Sequence, residues 1–216
     1  MHGYVMEKKI TVKKYNDHYF YKATNVVSEG FRLDLLKSAQ EYWFVNKKKS
    51  IYEEVFPPEA TEEILGYLLN DPLWQLFYKE IRIHIMKYCQ IMNIDSNKVK
   101  MHSSWMTRIQ DINFEGDHTK QQLLTAFKRH STFGNMHSHK VNHIGMVYYL
   151  SNPNPKYGTV TKLGDSKVFN NNGEENSIMI FDPRLEHSAL YPTLEETKNH
   201  PRITVVLDCI PLGKHS

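Results

Sequence analysis

Residues 135–150 read NMHSHKVNHIGMVYYL, two histidines separated by one serine and then an apolar run ending in Tyr148, Tyr149 and Leu150. The run is short and rich in β-branched and aromatic side chains, which predicts a buried strand. In extended backbone the side chains of residues i and i+2 point to the same face, so the imidazoles of His137 and His139 can converge on one ion. Such a pair alone is weak evidence. It is strengthened by a third histidine, His187, in another strand-like run, SIMIFDPRLEHSALYP at 177–192, because first-row metals are commonly held by ligands gathered from neighbouring strands. Imidazole suits zinc, copper, nickel, manganese and iron, so ligand type does not name the metal.

Working outward, β-type runs continue on both sides of this stretch: KVKMHSSWMTRI at 98–109, GTVTKL at 158–163 and RITVVLDCI at 202–210. They are divided by turns rich in Asn, Pro and Gly, NPNPKYG at 152–158 and FNNNGEEN at 169–176. Before Asn97 the texture is helical. FRLDLLKSAQEYWF (31–44), PPEATEEILGYLLN (57–70) and DPLWQLFYKEIRIHIMKYCQIMNI (71–94) carry apolar residues three or four apart, and Asp71 with Pro72 forms a cap and first turn. KITVKK at 9–14 alternates like a short strand. The expectation is one α+β domain with a mainly β core, residues 1–98 forming a helical support layer and 99–212 the sheet. An insertion at 111–135, with a helix-like piece at 119–130, is expected to be a lid or recognition loop, with a surface ornament as the alternative.

Composition narrows the function. The 27 Lys and Arg against 24 Asp and Glu leave a net charge of +3, too small an excess to imply nucleic acid. No stretch approaches the roughly 20 apolar residues of a membrane span, and the N-terminus lacks the apolar centre of a secretory signal. Cys89 and Cys209 sit in apolar company and read as buried thiols of a reducing compartment, so a cytoplasmic protein is expected. Of 12 histidines, five (His118, His130, His137, His139, His143) fall between 118 and 143, which is where chemistry is expected.

Period-2 alternation in RITVVLDC puts Arg202, Thr204, Val206 and Asp208 on one face. A guanidinium beside a hydroxyl at the head of an apolar strand is suited to grip a carboxylate bidentately. The ordinary fate of such an arginine is to reach into water; its position after the third histidine argues for a function instead. Tyr148 and Tyr149 point to opposite faces, one toward the core and one free to bind a ligand. Trp105 is expected in the core, His84 on a packed or exposed helix face, and His143, four residues beyond His139, in a supporting or exposed place, with service as a substitute ligand as the alternative. His102, His118, His130, His200 and His215 are expected on the surface.

The order HSH, VYYL, GTVTKL, IFDPRLEH and RITV, spread over residues 101–209, resembles the iron(II)- and 2-oxoglutarate-dependent oxygenase superfamily, in particular its small prolyl-hydroxylase-like branch. The resemblance implies a double-stranded β-helix, or jelly roll, supported by N-terminal helices. It further implies Fe(II) held by His137, His139 and His187, and 2-oxoglutarate gripped at its far carboxylate by Arg202 and Thr204 with Tyr149 beside it. The implied reaction consumes O2, releases succinate and CO2, and hydroxylates a C–H bond of a small-molecule or peptidyl substrate. Two departures matter: the insertion before His137 is longer than this branch is expected to carry, which bears on the substrate, and a histidine stands at a ligand position that is usually acidic. Most of the superfamily has Asp or Glu where His139 stands, so either His139 itself ligates, which is the favoured reading, or a carboxylate such as Asp182 or Glu186 reaches in. Two other readings remain: a cupin-type metalloenzyme with three histidines and no 2-oxoglutarate, and a non-catalytic metal-binding jelly-roll module.

Overall fold

The alternation along the last strand organises the molecule, because each of its two faces meets a different layer. The computed structural model describes residues 7–45, 52–54, 71–109, 136–139, 144–164, 167–192 and 194–211. In chain order these form β1 (Lys9–Tyr15), β2 (His18–Thr24), α1 (Glu29–Val45), β3 (Tyr52–Glu54), α2 (Pro72–Ile91), β4 (Val99–Ile109), β5 (Ile144–Ser151), β6 (Thr159–Leu163), β7 (Lys167–Asn171), β8 (Ser177–Phe181), β9 (His187–Ala189), α3 (Leu194–Thr197) and β10 (Arg202–Pro211). Seven strands make one antiparallel sheet in the order β1-β2-β8-β5-β10-β4-β3, and three make a smaller sheet, β7-β6-β9. The expected helices at 57–70 and 119–130, the insertion at 111–135, and His118, His130, His143 and His215 lie outside the described residues.

On the outer face of the large sheet, Ile203, Val205 and Leu207 of β10, Met146 and Tyr148 of β5, and Ile178 and Ile180 of β8 share a core with the helices. Leu35 of α1 and Trp74, Phe77, Ile81 and Tyr88 of α2 are the helical side of that core. The register explains the selection. Val205 pairs with Tyr148 on one side and Met106 on the other, and directly paired residues point the same way. The inner face looks toward the small sheet, and there Phe20, Val147, Tyr149, Met179 and Phe181 cluster with Leu163 of β6. With both faces covered, β5 is buried along its whole length, which is why it reads as an uninterrupted apolar run.

Local chemistry places the ends of α2. The Asp71 side chain accepts from the Leu73 amide at 2.8 Å and Pro72 occupies the first turn, satisfying a donor that the helix itself leaves unpaired. The region before residue 98 is not purely helical: β1, β2 and β3 all join the large sheet. Strand β2, HYFYKAT, follows β1 through a tight turn in which Asn16 sits at φ 52°, the left-handed geometry a two-residue hairpin demands. The Asn16-Asp17 pair was the available signal for it. Cys89 and Cys209 are free and buried. Among the described residues no helix is long and apolar enough to cross a membrane.

His84 of α2 is buried and shares a 2.7 Å hydrogen bond with the Tyr21 hydroxyl. Burial, with Lys8 and then Lys87 adding to it, pushes its pKa down to about 4. An unfolded chain takes up that proton near pH 6.5, so the folded state loses stability as pH falls from about 6.5 to about 4, by up to about 3 kcal/mol. The stability advantage of the parent over His84→Gln is therefore expected to shrink across that window in urea titrations. A difference that does not change with pH would show that His84 is not buried in its neutral form.

Candidate metal centre

His137 and His187 exchange two backbone hydrogen bonds: His137 N donates to His187 O at 3.0 Å and His187 N to His137 O at 2.8 Å. This bridge adds residue 137 to the outer edge of β9 and aims both imidazoles to one side. The His139 amide donates to Pro183 O at 2.9 Å, which holds the second half of the HxH pair over the same spot. The three rings then lie 4.5 to 5.1 Å apart between centroids. One nitrogen from each falls within 4.8 Å of the others. Phe181 of the inner face backs the group, its ring edge-on to His187 at 4.9 Å.

Two of the three rings have their tautomers set by neighbours that only accept. His187 Nδ1 donates to Leu185 O at 2.7 Å and His139 Nδ1 to Asp208 Oδ2 at 2.7 Å, so in each ring Nε2 carries the lone pair. Burial pushes the His187 pKa down to about 4, against the opposing pull of the Leu185 carbonyl. It is therefore a neutral, ligand-ready imidazole at neutral pH. Burial decreases across the set, from buried His187 through half-buried His139 to exposed His137. The cluster opens to solvent at its His137 edge.

Neither carboxylate considered as a substitute ligand joins the group. Asp182 is engaged by the Arg184 guanidinium at 2.9 and 2.7 Å, and Glu186 is exposed and faces Lys162 at 3.0 Å. The carboxylate that does approach is Asp208, from behind His139. Trp105 departs from expectation. It is half-buried on the inner face, with its ring 6.1 Å from that of His139, while its neighbour Met106 fills the core place. Alternation in β4 allowed either residue to face the helices, and only the pairing with β10 decides which one does.

The second half of the site lies on the inner face of the large sheet, whereas His187 stands on the small one. Arg202 is 1% exposed, its Nε donates to Tyr157 O at 3.3 Å, and its guanidinium sits 5.8 Å from the Tyr149 ring and 5.9 Å from the Tyr191 ring. Among the described residues no carboxylate lies within ion-pair distance of it. Burial lowers its pKa, with Tyr149 and Tyr191 opposing. A guanidinium enclosed in this way is costly until an anion joins it. Thr204 bonds Thr107 through their hydroxyls at 2.7 Å, and the Tyr149 hydroxyl bonds Thr159 at 2.7 Å, so Tyr149 offers Arg202 its ring face. Gly173 permits this, since a Cβ there would come within 2.5 Å of the Tyr149 ring. Tyr148 turns away, its hydroxyl donating to Asn176 Oδ1 at 3.2 Å.

Thr161, which sequence reasoning passed over, pairs with His187 across β6 and β9, and its buried hydroxyl has no hydrogen-bond partner among the described residues. Three converging imidazoles, a buried arginine with no carboxylate at ion-pair distance among the described residues and a buried threonine hydroxyl form a donor set that fits a divalent metal together with a small carboxylate ligand.

No protein-family model matches the chain, and no curated protein matches it in sequence. Solved structures do match. HygX from Streptomyces hygroscopicus, with nickel and 2-oxoglutarate bound, superposes with a TM-score of 0.52 at 8% identity over 89% of this chain and 82% of that one. The viral collagen prolyl hydroxylase of Paramecium Bursaria Chlorella virus-1, as its 2-oxoglutarate complex, gives 0.48 at 13% identity over 88% and 94%. The α-ketoglutarate-dependent epimerase SnoN from nogalamycin biosynthesis gives 0.47 at 10% over 89% and 77%. At these identities the likeness is one of fold. The chain has the jelly-roll architecture found in structures of 2-oxoglutarate oxygenases, as the sequence resemblance implied.

The Trp105 ring beside His139 provides a direct readout of the centre. Addition of Ni(II) is expected to quench tryptophan fluorescence, and Trp105→Phe to remove most of that response while leaving Ni(II) affinity within about threefold, since no ligand is lost. An undiminished quench in the variant would place the ion elsewhere.

Proposed function

We propose that this protein is a non-heme Fe(II)- and 2-oxoglutarate-dependent dioxygenase that hydroxylates a C–H bond of a small-molecule or peptidyl substrate. The observation that carries the reading is the pairing, between the two sheets of a jelly roll, of three converging imidazoles with a buried arginine that has no carboxylate partner among the described residues. His137, His139 and His187 would hold the iron, and Arg202 the far carboxylate of 2-oxoglutarate. Thr204 lies beside Arg202 on the same face, and Tyr149 walls the guanidinium. When bound, iron and 2-oxoglutarate supply the oxidising chemistry, consuming O2 and releasing succinate and CO2.

The remaining work falls to the chain. Arg202 orients the cosubstrate by a charge-assisted, two-pronged contact that a lysine could not reproduce. The inner-face cluster of Phe20, Val147, Met179 and Phe181 keeps water from the enclosed side. Because His187 is sealed and His137 exposed, the substrate approaches along the His137 and Trp105 edge. The HygX complex with nickel and 2-oxoglutarate supports this reading through its shared fold.

Anaerobic titration with Fe(II) and 2-oxoglutarate tests it, through the weak visible charge-transfer band of the chelate. The parent is expected to develop the band; iron binding without it would favour a three-histidine metalloenzyme that uses no 2-oxoglutarate. Arg202→Ala is expected to weaken 2-oxoglutarate by about 2 to 5 kcal/mol, roughly thirtyfold or more, with iron affinity near that of the parent. His137→Ala and His187→Ala are expected to lose iron and keep the circular dichroism of the fold. If Arg202→Ala binds 2-oxoglutarate as the parent does, the cosubstrate assignment fails.

A further inference from the structure

We infer that Asp208 is a positioning residue of the metal centre, supplying from behind His139 the negative charge that a set of three neutral imidazoles lacks. The inference rests on the metal reading above and goes beyond it, because Asp208 would touch neither the ion nor the substrate. Its Oδ2 lies 2.7 Å from His139 Nδ1, and the residue is 2% exposed. Burying a carboxylate is strongly disfavoured by desolvation unless a charged or hydrogen-bonding partner meets it.

The surrounding backbone is arranged to make this contact. The pairing of β10 with β4 shifts register between Asp208 and Cys209, and an irregularity of this kind re-aims a side chain. On its other side Asp208 faces Gly145 of β5. A Cβ at Gly145 would stand 2.9 Å from Pro183 Cβ, so the glycine lets Pro183 descend onto the sheet. Pro183 in turn accepts the His139 amide at 2.9 Å. His139 is thereby gripped twice, by its peptide through Pro183 and by its ring through Asp208.

The chemical consequence follows from charge. Three neutral imidazoles leave a divalent ion with both its positive charges. A carboxylate hydrogen-bonded to the far nitrogen of one imidazole offsets one of them, makes that ring a stronger ligand and occupies no coordination position. Asp208 also fixes Nε2 as the ligand atom of His139. The position that sequence comparison marks as a departure, histidine in place of an acidic residue, is then matched by an acidic residue one side chain further back.

The test is a reciprocal exchange read by Co(II) calorimetry and the visible Co(II) spectrum, without turnover. With His139 in place, Asp208→Asn is expected to weaken Co(II) by about 10- to 100-fold and to keep the parent's melting temperature within a few degrees. In a His139→Asp background the carboxylate ligand is already present and Asp208 becomes a repelling neighbour. There, adding Asp208→Asn is expected to leave Co(II) affinity unchanged or raise it. That change of sign is what a merely structural role would not produce. Equal weakening in both backgrounds, or no effect beside His139, overturns the inference and leaves the metal reading intact. A parent that takes up no Co(II) removes both. Should the Asp208 variants not fold, the parent labelled with 15N-histidine decides: His139, identified by its loss in His139→Gln, is expected to be protonated at Nδ1, and protonation at Nε2 overturns the inference.

Discussion

The two backbone hydrogen bonds between His137 and His187 are the constraint on which the candidate centre depends. They join residues far apart in the chain into one antiparallel pair, whose side chains must share a face. The third ligand follows by local geometry, because His139 is two residues along the same extended segment and its amide is held by Pro183. Three imidazoles therefore converge without any of them having to adopt an unusual backbone. The small sheet has only three strands, but it is the element that carries His187 and receives His137.

The large sheet solves a different problem, which is to place charge where apolar side chains dominate. Its strand β10 keeps Ile203, Val205 and Leu207 against the helices and turns Arg202, Thr204 and Asp208 inward, all of them buried. The inward charges stand at opposite ends of the strand and do opposite things. Arg202 is bounded by rings and a carbonyl and asks for an anion; Asp208 is spent on His139. A strand with a polar inner face would be unstable if that face met an apolar layer. Here Thr204 meets the Thr107 hydroxyl of the adjacent strand and Asp208 meets the imidazole of His139.

Much of this was legible from residue order. The cap at Asp71, the apolar spacing of α2, the uninterrupted run of β5 and the alternation of β10 are local properties, and local properties are what a sequence displays. The same alternation placed Asp208 on the face of Arg202 and Thr204 without assigning it a task. The task depends on a contact with a residue in a different segment, which no local pattern records. Trp105 was misplaced for a related reason: adjacent residues on a strand face opposite ways, and which face is the core depends on the partner strand. Thr161 went unnoticed because a threonine in GTVTKL is an ordinary strand residue until its pairing with His187 is known.

That pairing bears on what the space between the sheets accepts. Thr161, His187 and His137 lie in one row across the small sheet, so this wall presents a hydroxyl and two imidazoles. The facing wall presents Phe20, Met179 and Phe181 at one end and Arg202 with Thr204 at the other. A purely apolar ligand would leave Arg202 and Thr161 unsatisfied, and a highly charged one would be desolvated against Phe181 and Met179 without compensation. Under the function proposed above, the chemistry that matches both walls is a short chain with carboxylates at its ends and methylenes between them, gripped at one end by the guanidinium.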